Sequence, residues 1–89
     1  MAQQLQSYDP SDRKLLGEVV AASHTEIQRS VDTARNAATG WRNTVINDRV
    51  KTILAAYSAA ESEMPRLAEL LSREMGKDIR RSTGEVHGT

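Results

Sequence analysis

Apolar positions recur every three or four residues through most of this chain, and only near its start do they bunch like a strand. Ile27, Val31, Ala34, Ala38 and Trp41 fall on one helical stripe, with Gln28, Arg29, Asp32, Arg35 and Asn36 facing water. Ser23-His24-Thr25-Glu26 opens that stripe with a capping-box spacing, and Gly40 is the expected stop, which predicts a helix over about 23–40. A second stripe, Val50, Ile53, Leu54 and Tyr57, carries a flank of Ala55, Ala56, Ala59 and Ala60. Thr44 or Asn47 is its expected N-cap. Pro65 interrupts the pattern. Its missing amide predicts a kink or break near Glu63, with Leu67, Leu70, Leu71 and Met75 on the far side and Gly76 as terminator, so the kinked helix spans about 46–76. Asp78 caps a third helical start from about 78, which the text leaves before it completes two turns.

Upstream of these helices, residues 1–7 read as a polar, frayed lead-in. Tyr8-Asp9-Pro10-Ser11-Asp12 is a turn signal. Lys14-Leu15-Leu16-Gly17-Glu18-Val19-Val20-Ala21 reads as a strand, which can pair with Gln6 to Asp9 in a hairpin over about 8–21. The expected fold class is therefore mainly α with a short N-terminal β-hairpin. A two-stranded hairpin is marginal by itself, so its apolar face needs a cover.

Composition narrows the function classes. With 89 residues there is room for one small domain. Twelve basic and twelve acidic residues cancel, which argues against nucleic acid or an anionic membrane as partner. The absence of cysteine removes disulfides, thiolate zinc sites and a thiol nucleophile. No apolar run approaches a membrane span and the first residues lack a secretory layout, so the cytoplasm is the default compartment.

Residues capable of chemistry have plainer readings. His24 sits in the capping box and His87 in a Gly-rich tail, neither with a second ligand at metal spacing. Glu61, Glu63, Glu69 and Glu74 fall on a solvated face beside Arg66, Arg73 and Lys77. Arg73, Lys77, Arg80 and Arg81 form a small basic cluster, but Glu74 and Asp78 dilute it and charge at a helix C-terminus explains Arg73 and Lys77. The glycines are too scattered for a phosphate cradle. Trp41 reads as packing that closes a helix end onto a neighbour. No catalytic, cofactor-binding or metal-ligating residue is assigned.

The order of features resembles the N-terminal start of NAD(P)-dependent aldehyde dehydrogenases. Asp9-Pro10-Ser11-Asp12 is similar to that family's turn, Leu16-Gly17-Glu18-Val19 to its G-E-V strand and Ala22-Ser23 to its helix cap. Ala34-Arg35 with Gly40-Trp41-Arg42, and Asn47-Asp48-Arg49-Val50 with Ile53-Leu54, look like its next helix end and helix opening. Leu67-Ala68-Glu69-Leu70-Leu71-Ser72-Arg73-Glu74-Met75-Gly76-Lys77 matches its L-A-x-L-[LI]-[ST]-x-E-x-G-K signature, and Ser82 to Val86 continues it with G-E-V. The resemblance covers Tyr8 to Val86. Three positions depart from the family: Pro65 lies in a commonly uninterrupted stretch, Asp78 replaces a frequent Pro, and Arg13 replaces a turn Gly, so the family's turn geometry holds only if Asp12 takes the left-handed position.

The resemblance implies that residues 8–89 form the N-terminal portion of a cofactor-binding domain, at the periphery of an α/β, Rossmann-like fold. For the whole family enzyme it implies oxidation of an aldehyde to an acid with NAD or NADP, through a cysteine nucleophile and a glutamate base. Those residues lie beyond this text, and the chain lacks cysteine, so it is expected to be a structural fragment, inactive alone. Its expected partner is the remainder of such a polypeptide, or another protein covering the apolar faces, and homo-oligomerisation stays open. The alternative is a free-standing small helical interaction module.

Overall fold

The computed structural model describes residues 2–89. The chain runs β1 (Gln4–Tyr8), β2 (Leu15–Val20), α1 (His24–Asn43), α2 (Ile46–Glu61), α3 (Met64–Met75) and α4 (Ile79–His87). β1 and β2 form an antiparallel hairpin in which Leu5 faces Val19 and Gln6 faces Glu18, with an irregularity after Ser7 that pairs Tyr8 with Leu15. The strand therefore takes in residues that were expected to fray. Leu5 supplies the reason, because its cross-strand contact with Val19 is available only if pairing extends that far back. Met1 lies outside the described residues.

The hairpin turn is closed from both sides. The Asp9 amide donates to the Lys14 carbonyl at 2.9 Å, and the Arg13 amide donates to the Asp9 carbonyl at 2.7 Å. The left-handed residue is Arg13, at φ 63°, and not Asp12. Asp12 is held elsewhere: its carboxylate accepts from the Lys14 amide at 2.9 Å. Asp9 also accepts from the amide and hydroxyl of Ser11, and these bonds hold its carboxyl below the usual range.

At α1 the capping box is made in both directions, Ser23 amide to Glu26 carboxylate at 2.7 Å and Glu26 amide to Ser23 hydroxyl at 3.2 Å. The helix does not stop at Gly40. Trp41, Arg42 and Asn43 continue it, and the Thr44 amide and hydroxyl then donate to the carbonyls of Trp41 and Gly40. That use of its hydroxyl also explains why Thr44 does not cap α2, whose N-cap is Val45 without a side-chain bond. Pro65 falls in the first turn of α3, where its missing amide costs nothing, and Glu63 precedes that turn as N-cap. Gly76 ends α3 in the left-handed conformation at φ 66°, with amides of Gly76 and Lys77 both donating to the Ser72 carbonyl.

The last helix is longer than its sequence implied. α4 has nine residues, about two and a half turns, and passes through Gly84 to His87. A pair between the Lys77 ammonium and Glu85 carboxylate joins its far half to the end of α3. Between the two helices the Ser72 hydroxyl donates to Ser82 at 2.8 Å, and Ser82 is wholly buried.

Met64, Ala68 and Ser82 are the only buried residues among those described. No residue of α1 or α2 is buried. The principal extents are 50 × 38 × 15 Å. The molecule is flat, its smallest extent less than a third of its largest.

Candidate functional site

His24 is the first residue of α1 and stands exposed in the capping box. His87 is not a tail residue: it closes α4, and its Nδ1–H donates to the Thr83 carbonyl at 2.8 Å. The imidazole thus serves its own helix end, where a basic group is also favoured by the helix dipole. Most of the flagged charges neutralise one another locally. Glu63 pairs with Arg66 at 2.6 Å, Glu69 with Arg73 at 2.8 Å, Lys77 with Glu85, and Asp78 lies 3.6 Å from Arg80. Only Arg81 of the basic cluster has no ion pair among the described residues, and one exposed guanidinium does not make an anion site. Among the described residues no three His, Cys, Asp or Glu come close enough to hold a metal ion.

What the fold does present is apolar surface in three grooves. Leu5, Leu16 and Val19 of the hairpin line the first together with Leu70 of α3. Tyr57, Ala60, Met64, Leu67, Leu71 and Val86 line the second, where α2, α3 and α4 converge. Trp41 lines the third with Ile46, Arg49, Val50, Ile53 and Leu54. Trp41 thus faces the start of α2 but leaves 42% of itself exposed, and Ile46, Ile53 and Leu54 expose about 60% each. Sequence reasoning missed Arg49, whose Nε is sequestered in this groove without an acceptor among the described residues. Its position beside Val50, on the edge of the stripe, was the available signal.

The total tells the same story. The accessible surface is 7622 Å², against about 5,200 Å² for a compact monomer of 9.8 kDa. The excess of about 2,400 Å² is roughly three times the ~800 Å² each partner gives to an interface of standard size. A single docking partner of ordinary footprint would leave most of it uncovered.

A family model described as the aldehyde dehydrogenase family matches residues 1–89. The chain belongs to the aldehyde dehydrogenase family. It corresponds to an N-terminal segment of aldehyde dehydrogenases, and its helices and hairpin agree with that part of the fold. It is 30% identical to a malonate-semialdehyde dehydrogenase of Bacillus pumilus over 79 residues, which is 89% of this chain and 16% of that protein. A probable methylmalonate-semialdehyde/malonate-semialdehyde dehydrogenase of Caenorhabditis elegans is 30% identical over 88% of the chain and 15% of its own length. A D-glyceraldehyde dehydrogenase (NADP(+)) of Thermoplasma acidophilum is 27% identical over 91% of the chain and 16% of its own length. The chain therefore spans about a sixth of the length of the dehydrogenases it matches. No solved structure matches it. No helix among the described residues is long and apolar enough to cross a membrane.

Proposed function

We propose that this chain is a structural segment of an NAD(P)-dependent aldehyde dehydrogenase, which oxidises an aldehyde to a carboxylic acid only when the rest of the polypeptide is assembled on it. The observation that carries this reading is the excess of about 2,400 Å² of surface on a fold that buries only Met64, Ala68 and Ser82 among the described residues. A surface excess that large fits envelopment by a larger fold better than docking at one patch. The coverage of only 16% of the Bacillus relative supports the same reading.

The chain contributes no catalytic group in this proposal. A dinucleotide diphosphate needs free amides at a helix N-terminus or a glycine-rich cradle. Each of the four helix starts here carries a carboxylate at its cap or in its first turn, Glu26, Asp48, Glu63 and Asp78, which would repel a diphosphate. The residues present do not fit the cofactor, and no step of the reaction is assigned to them.

Three proteins test this: the chain alone, the Bacillus pumilus dehydrogenase without its matching segment, and that truncated enzyme with this chain in its place. The expected result is aldehyde-dependent NAD(P) reduction by the hybrid and none by the other two. Turnover by the chain alone overturns the proposal. X-ray scattering of the isolated chain separates it from the interaction-module reading. A radius of gyration near 12 Å, the compact value for this length, in place of 17.6 Å would favour the module.

A further inference from the structure

We draw no further inference here: the strongest candidate, the groove where Trp41 of α1 meets Ile46, Arg49, Val50, Ile53 and Leu54 of α2, is an unpartnered apolar face, and nothing in the structure shows what covers it beyond the dehydrogenase polypeptide already proposed.

Discussion

Gly76 joins the two halves of the packed unit, and replacing it by alanine should loosen both. The residue sits at φ 66°, where a Cβ crowds its own backbone at a cost of roughly 1–2 kcal/mol. That Cβ would also lie 3.1 Å from Pro10 Cγ, so the hairpin turn must shift by a few tenths of an ångström or α3 must end differently. One to two kcal/mol multiplies the open population by about 5–30. The readout is amide hydrogen exchange at Lys77, whose N–H donates to the Ser72 carbonyl at 3.2 Å across the cap. Gly76→Ala should accelerate that exchange 5- to 30-fold by this estimate, and Gly76→Asn less, since asparagine tolerates the left-handed region. Repeating Gly76→Ala on a Pro10→Ala background isolates the steric part. Unchanged exchange in Gly76→Ala, or equal effects of alanine and asparagine in both backgrounds, would refute this account of the cap.

Further measurements bear on other elements. Bonds from the Ser23 amide and hydroxyl region hold the Glu26 carboxyl below its usual value. Because the folded value is the depressed one, the stabilisation is complete above the unfolded glutamate pKa and is lost as pH falls through the folded value. The N-terminal turn of α1 should therefore fray on acidification, and Ser23→Ala should move the Glu26 titration, followed by carboxyl NMR, back upward. Ser82→Ala removes the 2.8 Å bond to Ser72 and should cost about 1 kcal/mol in urea denaturation followed by circular dichroism. Ser82→Leu should cost about 1–3 kcal/mol through overpacking of a wholly buried site, and a neutral result would show that α3 and α4 separate freely. Trp41, 42% exposed, should fluoresce with a solvent-like spectrum and be open to acrylamide quenching in the isolated chain. In the hybrid enzyme it should shift to the blue and become shielded, and an unchanged spectrum would count against coverage of its groove.

Much of this architecture was legible because its signals are local. Ser23 and Glu26 announce a cap within four residues, and Pro65 states where one helix must yield to the next. The failures came where distant residues decide. Leu5 alone looks like part of a polar tail, and only Val19 across the hairpin makes it a strand residue. Gly40 resembles a stop, yet it lies inside a helix, because it does not adopt positive φ and flanking residues continue the hydrogen-bonded ladder. Gly76, with the same side chain, does terminate a helix, so glycine alone did not distinguish the cases. Arg13 holds the left-handed position, while the Asp12 carboxylate accepts from the Lys14 amide, a division of roles that residue type alone does not encode. The plain readings of His24 and His87 rested on the lack of a second ligand at metal spacing, and that of the acids on basic neighbours within one helical turn, both of which are local signals. The contact surface was visible only as stripes. Its extent required the accessible surface of the folded chain, a quantity that no periodicity encodes.

Small side chains mark the seam between α3 and α4: Ser72 bonds the buried Ser82 across it, and Ala68, also buried, lies one turn before Ser72 on α3. Those positions answer to their own two helices, whereas Ile53, Leu54 and Trp41 answer to whatever lies over them. Substitution should therefore follow two separate rules along one short stretch of polypeptide. Bulk at the seam is vetoed from within, and the stripe residues can drift in size and shape, provided that the opposing wall drifts with them.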